Sequence, residues 1–331
     1  TAPITGGIAI TGLRSDFSLA NNTNLILPNS FAPIGTTTQQ NVVAIDANAF
    51  ANQTQLTQIL IPNSVTSIGS NAFENCTNLT DITLSRNLTS IGSGAFQDCK
   101  KLAEIIIPYG VTSIADNTFK NCSNLKYAQF PSSMTSIGSG AFQDCTELNY
   151  VLLSAGIRSV GDGAFKNCVA LSNMIVQAGI QSIAANAFQN CIGLTNLTIP
   201  STITSVGSNA FSGCDNLSIT WNYNPVLSLY NFKDYLTDVI IGSNITSIPS
   251  NKFYLCNKLT SITIPKSVTS IGEAAFRDCS LLTEIILPEG LKRIEDTTFG
   301  GCSSLTNIVI PDSVTYIGYG AFQLCTSLLS I

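Results

Sequence analysis

The residues best equipped for chemistry are eleven cysteines, and their spacing decides what chemistry is open to them. Cys76, Cys99, Cys122, Cys145, Cys168, Cys191 and Cys214 follow one another at intervals of 23, as do Cys256, Cys279, Cys302 and Cys325. Each stands three positions after a phenylalanine. A thiol can act as nucleophile, metal ligand or half of a disulfide. A nucleophile needs a base, and the chain holds no histidine, which removes the commonest general base and the commonest metal ligand together. Zinc needs four ligands converging on one point, whereas one thiol per repeat makes a line. Successive thiols would stack one coil apart, a separation that permits a disulfide, but their Cβ vectors would run parallel and bridge poorly. The spacing therefore predicts a ladder of buried free thiols acting as small hydrophobes.

Two further ladders accompany the thiols. An Asp or Asn precedes many of the cysteines: Asn75, Asp98, Asn121, Asp144, Asn167, Asn190 and Asp278. Calcium would need six to eight oxygens around one centre. Local hydrogen bonding to backbone at a turn is the simpler expectation. Thr66, Thr89, Thr112, Thr135, Thr204, Thr246, Thr269 and Thr315 also align. Such a row could suit ice or a crystal face, but strand propensity explains it better, and Arg158, Gln181 and Lys292 interrupt it. No nucleophile–base pair, carboxylate pair or phosphate loop is present, so no catalytic residue, metal or cofactor is expected and the chain reads as a non-enzyme.

The elements that set these spacings follow from the same period. Phe50, Phe73, Phe96, Phe119, Phe142, Phe165, Phe188 and Phe211 are 23 apart, as are Phe253, Phe276, Phe299 and Phe322, and Phe232 halves the gap between the two runs. Within a copy, residues 56–61 alternate, with Ile59 and Ile61 on one side, the period-2 mark of a strand. Pro62 ends it. Val65 to Ile68 is a second short extended piece. The three-residue spacing of Ala72-Phe73 and Cys76 suits a helical or 3-10 turn. One such copy buries too little to offset its ordering entropy, so copies must stack. The expected fold is an α/β-type repeat solenoid.

The strand Leu56-x-x-Ile59-x-Ile61 resembles leucine-rich repeats. The stretch Ile61-Pro62-Asn63-Ser64-Val65-Thr66-Ser67-Ile68-Gly69, then Ala72-Phe73, Cys76 and Leu79-Thr80-Asp81-Ile82, is similar to the BspA-like subfamily. Residues 264–279 repeat it nearly verbatim, and the resemblance covers about residues 42–331. It implies short parallel strands, secretion or a place on the cell surface, and adhesion to a host or matrix protein or a glycan. Burial would then have to keep the thiols from oxidising.

Residues 1–49 depart from the pattern and read as a degenerate N-terminal cap, with Leu25-Ile26-Leu27-Pro28 as one strand. Residues 50–331 form the solenoid, irregular over about 212–252, where Trp221 stands with Tyr223, Tyr230 and Tyr235. The C-terminal residues match the start of a further copy, so truncation, an open core edge and end-to-end homodimerisation are expected.

Only 11% of residues are charged and the formal net charge is −5. That excludes the clustered basic footprint of nucleic-acid binding, and no apolar run reaches the ~18 residues of a membrane span. Function is therefore sought on the strands. The third and fifth strand positions point outward and differ from copy to copy. Tyr127, Tyr150, Ile106, Leu152 and Ile175 would make an apolar-aromatic patch rimmed by Glu104, Gln129 and Asn173, with Trp221 a second candidate. Exposed patches of this kind mark interaction sites. A structural spacer would show monotonous outward residues instead, and remains the alternative.

Overall fold

The computed structural model describes residues 2–4, 7–11, 24–32, 37–222 and 232–330. They fall into two compact units, Thr1–Gly193 and Leu194–Ile331. Both are stacks of coils that return to the same register every 23 residues, as where Gln58 faces Asp81 and Tyr127 faces Tyr150.

Each regular coil lays down two short strands. In the first unit the inner strands Asn24–Ile26, Gln58–Leu60 and Asp81–Thr83 form one parallel ladder. Glu104–Ile106, Tyr127–Gln129, Tyr150–Leu153 and Asn173–Val176 form another. The strand expected at Leu25 is thus the first member of the inner ladder, paired in parallel with Ile59. Two-residue strands such as Ser67–Ile68 and Ser90–Ile91 form the opposite, outer ladder. That ladder begins with an antiparallel hairpin, Ala2–Ile4 and Gly7–Ile10, whose second strand pairs in parallel with Gln40–Ile45. In the second unit the inner strands Leu217–Trp221 and Leu236–Ile241 are longer, and a register shift lies between Leu217 and Ser218.

The helical or 3-10 turn expected at Ala72–Cys76 does not form. The segment is a chain of tight turns, and no helix is long and apolar enough to cross a membrane among the described residues. Its backbone shows why. Asn71 and Asn75 have φ of 55° and 58°, left-handed values that a right-handed helix cannot contain. Asparagine is one of the few residues that adopts them readily. Alternate N–H groups then leave the turn for the next coil: Asn71 to Ser93 O at 2.9 Å, Phe73 to Ala95 O at 2.8 Å and Asn75 to Gln97 O at 2.8 Å. Those between them stay local, Glu74 to Asn71 O at 3.0 Å and Cys76 to Phe73 O at 3.2 Å. The turn is a third inter-coil ladder beside the two strand ladders.

The core between the ladders is built in columns. Phe50 and Phe73 stack with centroids 5.2 Å apart and rings 2° from parallel, and the same contact recurs to Phe188 in the first unit. In the second unit it runs from Phe253 to Phe322. Coil repetition forces this parallel arrangement, because identical rotamers are translated by one step. Glycine permits the close approach at the corner: a Cβ on Gly92 would lie 2.5 Å from the backbone N of Ser70, a contact that real Cβ atoms do not make.

Candidate functional site

The three side-chain ladders singled out by their chemistry all serve the stack. Ten of the cysteines are buried and Cys325 is partly buried, all as thiols outside any disulfide. Each regular thiol donates to the carbonyl of the phenylalanine in the preceding coil, as Cys99 Sγ does to Phe73 O at 3.3 Å and Cys122 Sγ to Phe96 O at 3.1 Å. Phe73 O also accepts the N–H of Cys76, so the sulfur fills the second lone pair of a buried carbonyl. Burial pushes the Cys76, Cys256 and Cys302 thiols up to about 12, and Cys122 and Cys168 higher still. Such thiols stay protonated and are poor nucleophiles and poor ligands. No group of three or more Cys, Asp or Glu side chains that could hold a metal ion occurs among the described residues.

The Asn/Asp ladder differs from its expected form. Asp98, Asn121, Asp144 and Asn167 all adopt φ between 60° and 61°. They bond to one another across coils rather than to local backbone: Asn121 Nδ2 donates to Asp98 Oδ1 at 3.1 Å, and Asn167 Nδ2 to Asp144 Oδ1 at 2.7 Å. The threonine hydroxyls likewise act as straps. Thr89 Oγ1 donates to Thr66 O and Thr135 Oγ1 to Thr112 O, both at 2.9 Å.

The inner sheet face carries the outward residues. Ile106 is 59% exposed, Ile175 49% and Tyr127 39%. Glu104 and Gln129 are exposed as well, whereas Tyr150 and Leu152 are only half exposed. Register brings Tyr127 beside both Glu104 and Tyr150, and Leu152 beside Ile175. Gln129 stands beside Ile106. It therefore lies within the fifth-position row and divides it, instead of rimming it. Asn173 pairs with Tyr150 along the backbone.

Trp221 is not a surface residue. It is 1% exposed and points into the core of the second unit, edge-on to Phe253 at 6.0 Å. The Lys252 ammonium lies 4.5 Å from its ring centroid. Lys252 takes the place that alanine holds before the phenylalanine in regular copies such as Ala72-Phe73, and burial lowers its amine to about 8. Five-residue pairing of Leu217–Trp221 with Leu236–Ile241 carries the indole inward. Nothing in the local sequence distinguishes an inward from an outward indole there, because the copy is too irregular to fix its phase. Tyr223 and Tyr230 lie outside the described residues.

The inner face of the first unit also holds concavities that the sequence did not announce. A cavity of about 400 Å³ is bounded by Asp81, Ile82, Thr83 and Leu84 on one wall and Glu104, Ile106 and Pro108 on the other, with Arg86 beside it. A shallower one of about 230 Å³ adjoins it through Asp81 and Thr83 and runs past Leu60 and Gln58 to Ile26 and Asn24. Asp81 is positioned by Gln58 Nε2 at 3.1 Å and Thr80 Oγ1 at 2.9 Å. Exposed Ile26, Leu60 and Ile106, at 72%, 41% and 59%, alternate with these polar groups. Glu104 and Ile106, singled out as patch residues, are members of this wall. The arrangement combines exposed apolar side chains, two carboxylates and a concave shape.

Comparison with known proteins bears on the repeat itself. Six copies of the BspA type leucine rich repeat region match residues 43–172, 113–234 and 227–331. A leucine-rich repeat protein from Bacteroides ovatus is 32% identical, with 99% of this chain and 90% of that one covered and a TM-score of 0.62. A leucine rich cell surface protein from Faecalibacterium prausnitzii is 28% identical, covering 100% and 91%, at a TM-score of 0.47. The pneumococcal vaccine antigen PcpA is 18% identical, covering 97% and 80%, at a TM-score of 0.49. No curated protein matches significantly.

Proposed function

Because the chain belongs to the BspA-type leucine-rich-repeat family, we propose that it is a non-catalytic binding module of an adhesin-type protein, displayed at the cell surface or outside the cell. Its ligand would be a host or matrix protein or a glycan, met by the inner sheet face of the first unit. The observation that supports this reading is the coil-by-coil variation of outward residues on that face. Exposed Ile106, Tyr127 and Ile175 stand among Glu104 and Gln129, while the rest of each coil is repetitive and consumed by packing. Repetition preserves the scaffold and variation falls where a partner would touch it. Tyrosine and isoleucine on a rigid sheet supply contact area at low entropic cost.

The test is binding of the chain to an array of matrix proteins and glycans, beside a Tyr127→Asp/Tyr150→Asp variant of matched thermal stability. A ligand held by the parent and lost by the variant is the expected result. Silence from both would overturn the reading in favour of a spacer, and equal binding would move the site off this face.

A further inference from the structure

Among the described residues of the first unit, one junction between coils lacks strand pairing on both ladders; in the second unit Ser261–Thr263 and Glu284–Ile286 are likewise unpaired with each other, but there the outer strands stay joined through Ile271 and Ile294. On the inner face, Asp81–Thr83 pairs backward with Gln58–Leu60, and Glu104–Ile106 pairs forward with Tyr127–Gln129, but the two strands form no ladder with each other. The missing bonds can be named from the neighbouring junctions. Ile61 N–H reaches Thr83 O at 2.9 Å and Ile107 N–H reaches Gln129 O at 3.0 Å, yet the equivalent bond from Leu84 N–H to Ile106 O is absent. Lys126 N–H reaches Ala103 O at 2.9 Å, yet Ala103 N–H does not reach Thr80 O. The outer ladder is interrupted between the same two coils, at Ser90–Ile91 and Ser113–Ile114. The phenylalanine side stays shut, with Phe96 N–H on Thr118 O at 2.8 Å and Phe96 stacked on Phe119 at 5.4 Å, and the coils also stay close at the corner between the two strands, where a Cβ on Gly110 would lie 2.5 Å from Leu88 O. The coils therefore part locally along their strands, with the mouth on the inner face.

The core shows through this mouth. Ile59 and Ile105 are 3% and 1% exposed, whereas Ile82 and Leu84, inward residues of the same kind, are only half buried. They floor the cavity of about 400 Å³, and Asp81 and Glu104 stand on its opposite walls.

We propose that this slot takes one extended peptide segment of a partner protein, which adds backbone hydrogen bonds to the Leu84 and Ala103 edges and presents a basic side chain between Asp81 and Glu104. The proposal rests on the binding-module reading and names the kind of partner. Unpaired N–H and C=O groups along two parallel edges match another polypeptide backbone, the complement used in strand addition. A glycan offers no such repeat of donors and acceptors at ~3.3 Å per residue. The walls are three residues long, so about three residues of the partner would be held, at alternating orientation. One face meets Ile82 and Leu84 and wants an apolar side chain. The other looks out between two carboxylates and wants lysine or arginine.

A library of linear heptapeptides displayed on phage, panned against the full chain, tests this directly. Enriched sequences should carry a basic residue flanked at alternate positions by apolar ones. A synthetic peptide of that sequence should bind about tenfold or more weakly to Asp81→Lys/Glu104→Lys, a change confined to exposed side chains. Hydrogen exchange should find the Leu84 and Ala103 amides fast in the free chain, compared with Ile61 and Lys126, and slowed by the peptide. Equal protection of Leu84 and Ile61 in the free chain would overturn the proposal by showing a closed ladder. So would enriched peptides that ignore the charge reversal or protect the Tyr127–Ile175 region instead, and so would the absence of any enrichment. A matrix ligand still sensitive to Tyr127→Asp/Tyr150→Asp would in those cases leave the binding-module reading standing without the slot.

Discussion

Native thiol reactivity gives the sharpest check on the stacked core. The perturbation is a thiol reagent such as N-ethylmaleimide at pH ~8, where a cysteine at its ordinary value of 9.0 is about 10% thiolate. Cys76, Cys256 and Cys302 are raised from 9.0 to about 12 by burial, so their thiolate fraction falls roughly a thousandfold. A thiolate of higher pKa is the better nucleophile, with a Brønsted slope of ~0.4–0.5, which restores about 15- to 30-fold. Ionisation alone therefore slows them by about 30- to 70-fold. Access adds the opening equilibrium of the coil: each ~1.4 kcal/mol needed to part neighbouring coils contributes a further factor of about ten. Cys325 is only partly buried and lacks most of this protection. Peptide-resolved mass spectrometry over a labelling time course should find Cys325 modified first and the other ten only on the timescale of unfolding, with all eleven labelled in guanidinium. Native labelling of Cys122 or Cys168 at the rate of Cys325 would refute the reasoning, because both are fully buried in the column.

Two further outcomes follow from the ladders. A thiol raised in the folded state favours folding in full below its unfolded value of 9.0, and that contribution is lost as pH climbs toward the folded value. At pH ~10, Cys76, Cys256 and Cys302 together would withdraw on the order of 4 kcal/mol. The melting temperature should be level near neutrality and fall above pH ~9, and the fall should be shallower in Cys76→Ala/Cys256→Ala/Cys302→Ala; identical profiles would remove thiol burial as the cause. Asn121, with φ of 60° and a bond to Asp98, should tolerate glycine better than alanine. Urea melts should place Asn121→Ala about 1 kcal/mol below Asn121→Gly, since alanine bears the left-handed cost and both lose the side-chain bond.

How much of this was legible depended on whether a property repeats. The phenylalanine period, the alternation of Ile59 and Ile61 and the spacing of the cysteines are each restated a dozen times. They fixed the coil, its two strands and the burial of the thiols. The turn was misjudged because three-residue spacing fits a helix, whereas the left-handed Asn71 and Asn75 lead alternate amides out to the next coil. Asparagine at both positions was the available signal. Tyr127 and Ile106 were placed correctly on the outward face because strand phase alone decides that. Trp221 was misplaced because its copy is shortened and its phase cannot be read. The opening between coils was invisible for a different reason. Ile82, Leu84 and Ile105 conform to the repeat and would predict a closed ladder. The opening is a relation between two normal copies and belongs to neither.

The donors and acceptors of the phenylalanine turn also bear on how such a chain can change length. Each coil offers its phenylalanine carbonyl to the cysteine of the coil that follows, and receives the same service from the coil before. A whole inserted or deleted copy would leave every such pair intact, with one more or one fewer coil between the ends. A single-residue insertion would misalign the ring column, the thiols and the threonine straps at once. Duplication and loss by multiples of 23 should therefore be the tolerated route of variation, and other increments should survive only beside a local repair. The two 21-residue steps around Phe232 fit that rule: they coincide with a register shift between Leu217 and Ser218, and the 23-residue spacing returns where Asp238 pairs with Ser261.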